Sequence, residues 1–188
     1  MLSMKIGKSI FTMMLALASL ISCAKETQQT KNPYQLYKFP LKHSFIALSP
    51  LPGRVDLDAD LAQIESNQIT NVVTLVSDEE LVKYKVPTLI ARYDALDLNV
   101  LHSPIADYGL PEVAQMKSIL NWVQKKVKAK ENILIHCVGG LGRSGTVMAI
   151  YAKVYLGKTG QEAIDFVRSI RGNEAVETEE QQDFVKNW

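Results

Sequence analysis

Ten residues, Ile135-His136-Cys137-Val138-Gly139-Gly140-Leu141-Gly142-Arg143-Ser144, restrict this chain more than any others. The apolar run Ile133, Leu134, Ile135 leads through His136 to a cysteine, and a glycine-rich turn follows it. After Arg143 the pattern becomes helical, through Ser144, Val147, Met148, Ile150 and Tyr151. The order is therefore a buried strand, a tight loop and a helix N-terminus. A loop of this kind turns several backbone N–H groups inward, and the helix behind it adds the positive end of its dipole. Val138, Gly139, Gly140, Leu141 and Gly142 form an anion cradle with Cys137 at its mouth.

Five residues separate Cys137 from Arg143, so the loop can fold back until guanidinium and sulfur share the cradle. Cationic and N–H donors around a sulfur favour thiolate, the nucleophilic form. Arg143 can grip two oxygens of a phosphoryl group bidentately. Ser144 is placed to offer its hydroxyl to the sulfur, and His136 orients the loop rather than taking a proton. The alternative is a buried structural cysteine beside an unrelated glycine-rich turn. It requires residue types, spacing and strand-to-helix context to coincide.

His136-Cys137-x-x-Gly140-x-x-Arg143-Ser144 resembles the signature of cysteine-dependent protein tyrosine and dual-specificity phosphatases. Further stretches are similar to the kinase-associated phosphatase (cyclin-dependent kinase inhibitor) branch: Ser49 to Gly53, Glu80 to Pro87, Pro104-Ile105-Ala106-Asp107, and Arg171-Gly172 with Thr178 and Gln181. The resemblance runs from about Leu48 to about Phe184. It implies a compact dual-specificity phosphatase fold, a phosphocysteine intermediate on Cys137, and a general acid on the loop that holds Asp107. Asp107 then protonates the leaving oxygen and later activates water. A loop-capping aspartate is the competing role; Asp94 and Asp97 lack the matching context. His102 and His43 read as structural.

The start of the chain is of another kind. Lys5 and Lys8 precede the mostly apolar run Ile10 to Ile21, which is short for a membrane span. Leu20-Ile21-Ser22-Cys23 resembles a bacterial lipoprotein cleavage box, with Cys23 as the lipidated residue; an ordinary secretory signal or a short anchor are the alternatives. Residues 1–22 are thus expected to be a signal peptide, 23–33 the lipidated cysteine and a polar tether, and 34–188 the catalytic domain. The resemblance implies an exported protein held by lipid at a membrane of the bacterial envelope, facing the periplasm. With Cys23 lipidated, Cys137 has no disulfide partner and is expected to be sensitive to peroxide.

Removal of residues 1–22 takes Lys5 and Lys8, so 21 basic residues become 19 against 20 acidic ones. That balance recruits no nucleic acid, and Lys125, Lys126, Lys128 and Lys130 read as a solvated helix face. No side-chain cluster has metal-ligand spacing, and no cofactor is expected.

Strand and helix signals alternate: a strand at Phe45–Leu48, a helix over Asp56–Asn67, a strand at Val72–Val76, and short helices near Glu80–Tyr84 and Pro87–Ala95. A strand over Asn99–Ser103 and a loop over Pro104–Gly109 follow. Next comes a long helix opened by Pro111, with Val113, Met116, Leu120, Val123 and Val127 on its buried stripe. The helix from Ser144 stops at Gly157, and Ala163, Ile164, Val167 and Ile170 mark another. A turn at Gly172-Asn173 and a last helix over Glu177–Lys186 close the chain. The fold class is α/β, a central and largely parallel sheet flanked by helices.

Small size and the loop interior bear on substrate. A short chain implies a shallow cleft, open to phosphoserine and phosphothreonine as well as phosphotyrosine. The loop interior lacks the lysine of related phosphoinositide phosphatases, and Val138 replaces the aromatic residue frequent in the kinase-associated branch. Three readings stand: a protein phosphatase, a phosphatase of small phosphoesters, phosphoinositides or inositol phosphates, and a non-catalytic phosphate-binding tether.

Overall fold

A computed structural model describes residues 34–188; the expected signal peptide, Cys23 and the tether lie outside the described residues. Five strands form one sheet in the order β1 (Tyr37–Pro40), β2 (Phe45–Ser49), β5 (Asn132–His136), β3 (Ile69–Thr74), β4 (Asn99–His102). Every pairing is parallel except β1 with β2. β1 carries no sequence signal strong enough to predict it; it is a four-residue edge strand ending in a proline, which an edge tolerates.

β5 lies at the centre, and its side chains alternate. Ile133, Ile135 and Cys137 face one apolar cluster, Leu134 the other. The first cluster is closed by α4 (Val113–Lys128), α5 (Gly142–Leu156), α6 (Gly160–Arg171) and α7 (Glu179–Asn187). The second lies under α1 (Leu57–Ser66), α2 (Asp78–Lys83) and α3 (Leu89–Asp94). A sheet buried on both faces accounts for the nearly continuous apolar character of β2, β3 and β5.

Four expectations shift. β3 starts at Ile69 and ends at Thr74; its early part accommodates Asn71, which is wholly buried and donates from its amide to Glu131. Pro111 stands outside α4, whose N-cap is Glu112, and Val113 is exposed; Ile119 takes its place on the buried stripe. α5 begins at Gly142, two residues before Ser144. Glu177 precedes α7, since the Thr178 hydroxyl caps it by accepting the Gln181 N–H. Gly157 ends α5 in the left-handed conformation, as its position predicts.

Candidate active site

Loops following β2, β3, β4 and β5 meet at the carboxyl ends of the parallel strands, where open α/β sheets bind ligands. The β5 loop is fixed first. Leu51 N–H donates to Val138 O at 3.0 Å, and Gly140 packs so tightly that a Cβ there would lie 2.3 Å from Ser49 O. Gly140 also has φ +68°, so two independent conditions require glycine. From behind, Arg171 donates from Nε to Gly140 O (2.7 Å) and from Nη2 to Gly139 O (2.8 Å). Its guanidinium stacks on the Tyr37 ring at 4.1 Å. Arg171 thus fixes the Gly139 and Gly140 carbonyls, while the Gly140 N–H points at the Cys137 sulfur.

Cys137 sits on the cleft floor. Its Sγ accepts the Gly140 N–H at 3.2 Å and lies 3.5 Å from Ser144 Oγ. Arg143, only 2% exposed, reaches into the same cleft from the first turn of α5. The cleft holds about 160 Å3 and is lined by Cys137, the loop, Arg143, Asp107, Tyr84, Tyr108 and Glu177. Cys137, Arg143, Ser144, Asp107 and the loop are thus brought to one place.

Arg143 is the most heavily bonded side chain there. Its Nη1 and Nη2 donate to Glu80 Oε2 and Oε1, both at 2.9 Å. Nη1 also reaches Ile105 O (2.9 Å) and Leu75 O (3.4 Å), and Nη2 reaches Asp107 Oδ1 (2.9 Å). Burial pulls the guanidinium pKa down, but Glu80, Cys137 and Asp107 together raise it above its ordinary value. Burial likewise pushes the Glu80 carboxyl up, yet the bonds from Arg143 and the Ser77 N–H hold it lower than usual.

His136 is fully buried, and its Nε2 lies 3.1 Å from the Tyr93 hydroxyl. Burial lowers its pKa to about 3, so the ring stays neutral beneath the loop. His102 binds Val76 O at 2.8 Å and His43 is exposed, and neither lines the cleft.

Two carboxylates, Glu177 in the cleft lining and Glu80 bonded to Arg143, carry no chemistry in the sequence reading. Glu80 has a legible signal, the capping box Ser77-x-x-Glu80, but nothing local reveals its partner 63 positions away. Glu177 follows Val176, a β-branched residue at φ +56°. Burial and the negative charge of Asp107 raise the Glu177 pKa. Buried Gln181 ties this segment to the Asp107 loop, accepting the Glu177 N–H (3.0 Å) and donating to Gly109 O (3.3 Å).

Among the described residues no group of three or more His, Cys, Asp or Glu side chains is arranged to hold a metal. A cysteine that accepts a loop N–H and contacts a serine hydroxyl, a buried arginine and a helix N-terminus on a mostly parallel sheet define a cysteine-dependent phosphatase of the dual-specificity type. The family model described as Cyclin-dependent kinase inhibitor 3 (CDKN3) matches residues 20–164, and the chain belongs to that family. A Cyclin-dependent kinase inhibitor 3 from Sus scrofa is 34% identical over 175 residues, 87% of this chain and 81% of its own. Among solved structures, a kinase-associated phosphatase with serine at its catalytic-site cysteine superposes with a TM-score of 0.76. It is 30% identical, over 82% of this chain and 93% of that one. Tk-PTP in its active form gives 0.65 at 37% identity, covering 76% and 89%.

Proposed function

We propose that the protein removes phosphate from phosphotyrosine in proteins, and from phosphoserine and phosphothreonine, through a phosphocysteine intermediate. The observation that carries this reading is Cys137 Sγ on the floor of a donor-lined cleft that Arg143 and Asp107 share. The thiolate attacks phosphorus, the bond to the leaving oxygen breaks, and Asp107 supplies that oxygen with a proton. Water then attacks the phosphocysteine, gives its proton to Asp107, and thiolate departs with the Ser144 hydroxyl donating to it. Loop amides and Arg143 balance charge on the equatorial oxygens.

Donor geometry refines the role of Arg143. Glu80, Ile105 and Leu75 occupy Nη1 and one hydrogen of Nη2. A bidentate grip on phosphate therefore uses Nε and the remaining Nη2 hydrogen, the one that Asp107 accepts. Substrate entry releases Asp107 from Arg143 and frees it to meet the leaving oxygen.

A panel of phosphotyrosyl, phosphothreonyl and phosphoseryl peptides, phosphoinositides and inositol phosphates tests the reading, with reductant and without metal. Highest kcat/KM on phosphotyrosyl peptides supports it. A strong preference for a small phosphoester or phosphoinositide replaces the substrate class, and tight capture without turnover makes the protein a phosphate-binding tether.

We also propose export and lipidation at Cys23, which place the enzyme at the periplasmic side of the envelope; the support is the Leu20-Ile21-Ser22-Cys23 sequence. Cys23→Ser should move the protein from the membrane to the soluble fraction, and unchanged fractionation would remove the proposal.

A further inference from the structure

We propose that the mouth of the cleft carries a second, anion-accepting subsite around Tyr84, which selects phosphotyrosine lying close to an acidic side chain. The inference rests on the phosphatase reading and names its substrate more closely.

Tyr84, the C-cap of α2, lines the cleft together with Cys137. Two exposed cations flank its ring: Lys83 Nζ at 5.4 Å and Arg54 Cζ at 5.8 Å from the centroid. Lys85, also exposed, follows directly. The cations come from two different segments, the turn after β2 and the end of α2, and the structure fixes these against each other. A Cβ on Gly53 would lie 2.6 Å from Val86 Cγ1, so the turns touch at a point where only glycine fits. Gly53 has φ +84°, and its N–H donates at 2.8 Å to the carboxylate of Asp60, which is buried. Arg54 is thereby presented by an anchored turn rather than a free loop.

Several nearby carboxylates are committed to other partners, while Asp78 and Glu79 lie exposed on α2. Asp56 caps α1, Asp58 pairs with Arg92, Asp60 accepts from Gly53, and Glu80 holds Arg143. Among the described residues no carboxylate forms an ion pair with Arg54 or Lys83, although Glu80 feels the Lys83 charge.

The cleft itself is lined by acidic groups, and Asp107 also shares a neighbouring cavity with Lys83 and Glu80. The acidic groups of the cleft are Asp107 and Glu177, and Tyr108 stands 61% exposed at φ +58° on the Asp107 loop. Tyr84 and Tyr108 give the cleft two aromatic walls, which favour an aryl phosphate. Arg54 and Lys83 at the Tyr84 ring attract an acidic side chain beside the phosphotyrosine, while Asp107 and Glu177 discourage one from lying over the cleft itself. Only the phosphoryl group and adjoining ring need enter a cleft of about 160 Å3; the flanking residues lie across the rim.

The test compares two phosphotyrosyl peptides, identical except for glutamate or glutamine beside the phosphotyrosine, on the full chain and on the Arg54→Gln/Lys83→Gln double variant. The readout is the ratio of kcat/KM for the two peptides within each protein. Exposed charge pairs predict a ratio of about three to ten for the parent, decreasing with added salt, and about one for the double variant. Circular dichroism and thermal melting check that the variant is folded. A ratio of one in the parent, or a ratio that survives the double substitution, overturns the subsite. A phosphoinositide turned over faster than either peptide overturns the peptide assignment. The same ratio is measured as affinities for Cys137→Ser. If the parent turns over no phosphoester, the phosphatase reading fails by itself, and the affinity ratio still decides the subsite.

Discussion

Arg143 commits most of its donors to protein acceptors, and Glu80 takes two of them. Glu80 therefore leaves the Nε edge of the guanidinium as the one the proposed mechanism turns to phosphate. Glu80→Gln keeps the shape but loses the charge and one acceptor; kcat/KM should decrease about 10- to 100-fold, in line with charge-assisted bonds of about 1.5–3 kcal/mol. Steady-state kinetics with intact thermal melting checks this, and full activity would remove Glu80 from the site. Cys137 and Arg143 were legible together because they share one loop. Glu80 was not, because its role depends on a tertiary contact across 63 positions. His136 makes a second prediction at this scale. Burial puts its folded pKa at about 3 against an unfolded value of 6.5, so protons bind preferentially to the unfolded chain over that interval. The neutral ring's contribution is fully present above about pH 6.5 and is lost as pH falls towards 3. Glu80, whose folded pKa is lowered, loses its contribution in the same direction as pH falls below 4.5. Denaturant unfolding should show stability falling by about 1–2 kcal/mol from pH 7 to pH 5, with a flatter slope in His136→Asn. An unchanged slope in that variant would exclude His136 as its source.

The strand, loop and helix built by β5, residues 137–141 and α5 form the element on which the other loops converge. Two glycines with nearly the same backbone separate its conformational requirement from its packing requirement. Gly140 (φ +68°) faces Ser49 O at 2.3 Å from a notional Cβ, whereas Gly157 (φ +70°) has nothing within 4 Å. Gly157→Ala should cost about 1–2 kcal/mol from left-handed strain alone. Gly140→Ala should cost more and should also weaken binding of inorganic phosphate, because the loop has to leave Ser49. Equal losses in unfolding free energy would show that the close approach carries no weight. The helices of this fold were readable from apolar spacing and caps, as with Leu61 and Ile64 on α1 or Gly157 after α5. The failures have local causes. Val113 fits the spacing of the α4 stripe but, as the first residue of the helix, is exposed. β1 is too short to show alternation and takes its place only by pairing with β2.

Across the whole molecule, alternating strands and helices predicted a largely parallel sheet, and four of the five strands obey it. The order in which they pair was not legible, since buried strands of similar composition do not encode their neighbours. That order places β5 between β2 and β3, with β4 beyond β3. The cysteine loop therefore meets the Ser49–Arg54 turn, the Glu80 segment and the Asp107 loop at one end of the sheet. The central claim is that this convergence makes Cys137 a nucleophile assisted by Asp107. The measurement that tests it most directly is hydrolysis of p-nitrophenyl phosphate by the full chain, metal-free and with reductant, beside Cys137→Ser and Asp107→Asn. Turnover absent in the serine variant and reduced about 100-fold or more in the asparagine variant is the predicted result. Turnover that survives Cys137→Ser would contradict it.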